Sequence, residues 1–198
     1  MSWDEMASTW NDDPMVQAYS RAAFGSLERA LAERGRSLHG ARVLDFGCGT
    51  GLLTEHIAAH ADHVVGLDIS GPMVQVLDAK RIPNVRAVAA DLLHALGTDP
   101  LQRDSFQLIT CSSVLAFVPD HPATVAALAT LLAPGGLLIH WDWTLNPTDE
   151  EPYGLTTDAA LQALTDAGLE HATVDVGFEL PVEGGVMAPL RGIGQRAR

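Results

Sequence analysis

The densest run of residues able to do chemistry is Val43-Leu44-Asp45-Phe46-Gly47-Cys48-Gly49-Thr50-Gly51. An apolar stretch runs into three glycines at every second position. Glycines there allow backbone with positive φ and let a ligand approach the main chain closely. The spacing is G-x-G-x-G, which differs from the dinucleotide fingerprint G-x-G-x-x-G, and no Gly-Lys-Ser/Thr follows as in a P-loop. Asp45, just before the turn, would repel a pyrophosphate, but it can accept a hydrogen bond from an ammonium group. A zwitterionic amino-acid ligand suits such a turn better than a phosphate.

Two more carboxylates follow at matching places. Asp68 ends the apolar run Val64-Val65-Gly66-Leu67, 17 positions after Gly51, where an acid accepts hydrogen bonds from ribose hydroxyls. Ser70 is the better cap for the helix that follows, which leaves Asp68 for a ligand. Asp91 follows a third apolar run and is placed to accept a bond from an exocyclic amine. Further on, His140-Trp141-Asp142-Trp143 alternates, with His140 and Asp142 on one strand face and both tryptophans on the other. His140 or Asp142 is the candidate general base for an acceptor proton. His56 and His60 have helical i,i+4 spacing with His63 beyond, yet no third ligand or H-E-x-x-H accompanies them, so no metal is expected. Cys48 has no base partner that would make it a reactive thiol.

The elements that must hold these residues alternate. Strands are expected at 41–46, 64–68, 85–90, 106–111 and 136–143, and helices at 51–60, 72–80, 122–132 and, shorter, within 92–102. Asn11-Asp12-Asp13-Pro14 signals a helix start, with the helix running over 14–34 to Gly35. A helix at 156–167 precedes two strands, 171–178 and 186–195, separated by the loop 179–185. Helices between most strands imply a parallel, doubly wound α/β sheet, and the last two strands an antiparallel hairpin at one edge. The expectation is one unit, with an N-terminal helical extension (1–37) on a core (38–198).

Composition narrows the partners. Of 198 residues, 47% are hydrophobic and 19% charged, enough apolar material for a core. The formal net charge of −13 repels phosphate backbones and anionic lipid, so neither nucleic acid nor a membrane is an expected partner. A small neutral or cationic molecule is compatible with it. Two cysteines in separate apolar segments imply no disulfide framework, and the acidic N-terminus lacks a signal-peptide core. A cytoplasmic protein is expected.

Taken in order, these segments resemble the class I S-adenosylmethionine-dependent methyltransferases. VLDFGCGTG at 43–51, VVGLDIS at 64–70, AADL at 89–92, FQLITCSSVLAFVPD at 106–120 and LLAPGGLLIHWDW at 131–143 are similar to that family's successive motifs. The resemblance implies a Rossmann-like sheet of order 3-2-1-4-5-7-6 with strand 7 antiparallel, and S-adenosylmethionine as methyl donor, leaving S-adenosylhomocysteine. It implies that Gly47, Cys48, Gly49 and Gly51 flank the methionine part, with Asp45 orienting its ammonium. Asp68 would hold the ribose, Ile69 and Met73 would pack on the adenine, and Asp91 with the Leu92 backbone would meet the adenine amine. Cys111 and Ser112 would line the pocket below the sulfonium. Trp3, Trp10 and Tyr19 are expected on an N-terminal lid, with Trp141, Trp143 and the loop 146–153 at the acceptor. The chain has Gln107 where the family often has an aspartate, and it lacks the Asn/Asp-Pro-Pro-Tyr/Phe signature of amino-methyltransferases acting on DNA or protein glutamine. The expected activity is methyl transfer to a small-molecule acceptor. A non-catalytic protein that keeps the cofactor pocket and a nicotinamide-dependent oxidoreductase are the alternatives.

Overall fold

The computed structural model describes residues 2–145 and 153–198. The chain opens with a short helix, α1 (Trp3–Met6), and a 3-10 turn at Trp10–Asp12, neither of which the polar composition announces. The Asp13 carboxylate then accepts the Met15 N–H at 2.7 Å and Pro14 fills the first turn, which starts α2 (Pro14–Ala32). Five strands alternate with helices from there. They are β1 (Arg42–Phe46), α3 (Leu52–Ala58), β2 (His63–Asp68), α4 (Gly71–Ala79), β3 (Val85–Ala89), α5 (Leu92–Ala95), β4 (Phe106–Ser112), α6 (His121–Ala129) and β5 (Leu132–Asp142). The tail adds α7 (Thr157–Asp166), β6 (Glu170–Val176), β7 (Leu180–Val182), β8 (Gly185–Met187) and β9 (Leu190–Gln195).

Seven strands form one sheet in the order β3-β2-β1-β4-β5-β9-β6. β1 to β5 are parallel, while β9 runs antiparallel between β5 and β6. This is the expected doubly wound sheet. One correction concerns the segment expected as a single strand over 186–195. Gly184 and Gly185 turn the chain so that β8 pairs with β7 in a separate ribbon, within what was read as a loop. Pro189, which has no N–H to donate, separates that ribbon from β9. A second concerns the Pro134-Gly135-Gly136 turn. It is bulged out of the start of β5, since the pairing jumps from Phe106–Leu132 to Leu108–Leu137, and α6 therefore stops early at Ala129.

Alternation along the strands builds two cores. Val43, Leu108, Ile139 and Trp141 face α2 and α3, whereas Leu44, Ile109, Cys111 and Leu138 face α5, α6 and α7. The same alternation places Asp45 and Thr110 on the α3 face, and His140 and Asp142 on the α7 face. The carboxyl ends of β1 to β5 converge at one edge, where ligands bind in open α/β sheets. Gln107 is structural here, its side-chain oxygen accepting the Arg42 N–H at 2.8 Å.

Candidate functional site

The glycine turn is tied to the end of β2. Both the Gly47 and Cys48 N–H groups donate to the Leu67 carbonyl, at 2.8 and 3.1 Å. Asp68 completes the link: one carboxylate oxygen accepts the Gly49 N–H at 2.8 Å and the other the Ser70 N–H at 2.9 Å. Ser70 caps α4, its hydroxyl accepting from the Met73 N–H at 3.3 Å. Gly49, at φ +53°, has no heavy atom within 4 Å of where a Cβ would stand, so the backbone is open to a ligand on that side. Gly51, at φ +83°, is closed instead, since a Cβ there would meet Leu77 at 2.3 Å. Its substitution by alanine is therefore expected to strain both backbone and packing, costing about 2–4 kcal/mol in urea unfolding.

Asp45 lies beneath this turn, wholly buried. Its two oxygens accept from Thr54 of α3 at 2.6 Å and Thr110 of β4 at 2.8 Å. Burial outweighs these hydroxyls and pushes its carboxyl from the ordinary 3.8 up to about 6, with Asp68 adding to the rise. Burial, helped by the neighbouring carboxylates, also drives both thiols up, Cys48 beside Asp45 and Asp68 and Cys111 beside Asp142 and Asp45. Neither cysteine is an activated nucleophile.

The remaining edge of the cleft carries Ile69, 71% exposed beside Asp68. Met73 is buried behind it. Asp91 caps α5, one oxygen accepting the His94 N–H at 3.1 Å and facing the His94 ring at 3.0 Å, while the Leu92 side chain is buried in the core. His56 and His60 stack on Phe24 at 5.3 and 5.6 Å, so their helical spacing serves the contact between α3 and α2.

The N-terminal segment lies over this edge. Ser70 donates to Asp4 at 2.6 Å, Thr50 of the glycine turn donates to Asn11 at 2.6 Å, and the Gln17 amide donates to the Asn11 carbonyl at 2.7 Å. A row of aromatic rings continues from it: Trp10, Trp3, Phe117, Tyr153, Trp143, Tyr19 and Phe178, with neighbouring centroids 4.9–6.0 Å apart. Trp3, Trp10, Tyr19 and Trp143 thus come together with Phe117 and Phe178, neither of which the sequence singled out. Of the loop expected at the acceptor, 146–152 lies outside the described residues and Tyr153 joins the row.

Two expectations are corrected. Trp141 does not reach this end; it is buried under α2 and its indole N–H donates to Ser26 at 3.1 Å. His140 and Asp142 share a strand face as expected, but they are 1% and 0% exposed. Their contact, Nδ1 to Oδ2, is 3.0 Å, and the other Asp142 oxygen accepts the Ala116 N–H at 3.0 Å. The second imidazole nitrogen abuts Gly192 of β9, where a Cβ would lie 1.9 Å away. The pair therefore ties β5 to the turn that carries Phe117, and this packing gives no support to a role as acceptor base. Ser112 ends β4, and the next residue, Ser113, adopts φ +54° while donating its N–H to the Trp141 carbonyl at 2.7 Å. Strain at the end of a strand in the cleft is the signal that sequence reading lacked.

Residues 16–180 match a family model described as a methyltransferase domain, and the chain belongs to that family. Among similar proteins is the ubiquinone biosynthesis O-methyltransferase of Aromatoleum aromaticum, 39% identical over 106 residues, which cover 52% of this chain and 44% of that one. Another is the trans-aconitate 2-methyltransferase of Deinococcus radiodurans, 34% identical over 134 residues, or 66% and 48% of the two chains. The chain spans about half the length of these relatives. A SAM-dependent methyltransferase from Aquifex aeolicus has the same fold, with a TM-score of 0.68 at 19% identity over 98% of each chain. So does a DhpI–SAM–HEP complex, with a TM-score of 0.69 at 23% identity over 97% of this chain and 93% of that one.

Proposed function

We propose that the chain binds S-adenosylmethionine across the carboxyl ends of β1 to β3 and transfers its methyl group to a small-molecule acceptor. The observation that carries this reading is the open backbone at Gly49, its N–H fixed by Asp68. Gly47, Cys48, Gly49 and Gly51 would surround the methionine part, above the buried charge of Asp45. Asp68 keeps acceptor capacity beyond the two N–H groups it already binds, since a carboxylate offers about four lone-pair sites, and would take the ribose hydroxyls. Ile69 would lie on the adenine with Met73 behind it, and Asp91 and the Leu92 backbone would meet its amine. Cys111 and Ser112 would close the floor. The bound cofactor supplies an electrophilic methyl carbon on a sulfonium.

The protein's own work is then to align and to exclude water. The segment from Trp3 to Asp12 would serve as the lid, held at its two ends by Asn11 on Thr50 and Asp4 on Ser70. None of the described helices is long and apolar enough to cross a membrane. The net charge of −13 favours an enzyme acting on a small molecule rather than on nucleic acid.

Calorimetric titration with S-adenosylhomocysteine tests the reading. The wild type is expected to bind in the micromolar range. Asp68→Ala is expected to bind at least about 30-fold more weakly, because bonds to a charged acceptor are lost and the Gly49 and Ser70 N–H groups are released together. A folded wild type that binds no S-adenosylhomocysteine would refute it.

A further inference from the structure

The acceptor end of the cleft has a polar group without a partner. The Tyr19 phenol is 8% exposed and has no well-formed hydrogen bond. The Ser113 hydroxyl lies beside it, close enough to act on the phenol, and is itself buried with no other partner. A buried hydroxyl left unpaired costs free energy, and native structures rarely keep two together without use. Around them stand rings: Trp143 stacks on Tyr19 at 6.0 Å, Phe178 meets it edge-on at 4.9 Å, and Tyr153 and Phe117 extend the wall. Phe117 and Tyr153 are about half exposed, so this wall opens to solvent.

Charge decides what such a wall takes. Arg191 of β9 is engaged elsewhere, donating to Asp175 at 2.9 and 2.6 Å and to Ser26 at 3.3 Å. Arg21 sits on the exposed side of α2. Asp142 is near enough for its charge to act on the Tyr19 phenol. A carboxylate or phosphate would be desolvated here beside a like charge and with no cation to meet it. A protonated amine has no lone pair to attack the methyl carbon, and burying its charge among the rings costs it its hydration. We infer that the acceptor is an uncharged, flat molecule, aromatic or conjugated, whose polar substituent lies against the Tyr19 and Ser113 hydroxyls. This rests on the methyltransferase reading above and assigns its acceptor class.

Ligand-observed NMR titration of three single-ring probes, phenol, benzoate and benzylamine, tests it on protein with and without S-adenosylhomocysteine. Phenol is expected to bind saturably and at least about tenfold more tightly than either charged probe. Tyr19→Phe removes only an unsatisfied hydroxyl, so the fold is retained. It is expected to weaken phenol about five- to tenfold, as one lost hydrogen bond should, and to leave S-adenosylhomocysteine affinity unchanged. Ser113→Ala should weaken phenol similarly. Binding of benzoate or benzylamine as tight as that of phenol, phenol binding indifferent to both substitutions, or no saturable binding of any probe would overturn the inference. Failure of the cofactor reading shows separately, as absent S-adenosylhomocysteine binding.

Discussion

Asp142→Ala is expected to destabilise the protein by about 3–5 kcal/mol, the usual cost of removing one member of a buried polar pair. Two buried donors lose their acceptor at once: the His140 imidazole N–H and the Ala116 N–H. Nothing else at that depth can replace it, because water does not reach a carboxylate that is 0% exposed. At about 2–4 °C per kcal/mol for a chain of this size, the melting temperature should fall by roughly 10 °C. Asp142→Asn keeps an oxygen for the Ala116 N–H and an amide for the other histidine tautomer, so it should cost less than half as much. Gly192→Ala reaches the same pair from the opposite side, since its methyl group must displace the imidazole, and should match Asp142→Ala. Urea unfolding of the three variants checks this; an Asp142→Ala protein as stable as the wild type would mean that the pair holds nothing together.

The same residues mark where sequence reading stopped. The glycine turn, Asp68 and the alternation of helices and strands are local patterns; the alternation implied a parallel sheet, because a parallel strand pair needs a crossover helix, and the strand order came from the family resemblance that the motifs carry. The shared face of His140 and Asp142 was also legible, from strand periodicity alone. Which way that face looked was not, because it depends on α7 and on Gly192, some fifty residues downstream in sequence. Trp141 was misplaced for the same reason, since its partner Ser26 lies on a helix before the sheet begins. The hold of Thr54 and Thr110 on Asp45 joins α3 to β4, and the hold of Asp4 and Asn11 on Ser70 and Thr50 joins a polar tail to two turns. Single polar residues in unrelated segments give no periodic signal. The aromatic row is likewise assembled from six separate segments; its tryptophans and tyrosines were expected at the lid or acceptor, whereas Phe117 and Phe178 look like ordinary core material in sequence.

Asp45 lets the conflict between stability and function be measured. Its raised carboxyl pKa means that the folded state resists ionising it. Below pH 3.8 the side chain is protonated whether the chain is folded or not, and it costs nothing. Between 3.8 and about 6 the unfolded chain loses the proton while the folded one keeps it, so this group makes stability fall as pH rises. Above about 6 the penalty is complete, on the order of 2–3 kcal/mol for a shift of this size. Asp45→Asn removes the charge while leaving an oxygen and an amide for Thr54 and Thr110. The ligand-free variant is therefore expected to be about 2–3 kcal/mol more stable than the wild type at pH 7.5 and nearly equal to it at pH 4. It should also bind S-adenosylhomocysteine about tenfold or more weakly, having lost the charge proposed to face the ligand's ammonium. Urea unfolding at the two pH values, with calorimetry at the higher one, measures both halves. A gain in stability with unchanged affinity would show that the charge is not used by the ligand. A loss of stability at pH 7.5 would show that the two threonines need the carboxylate more than burial opposes it.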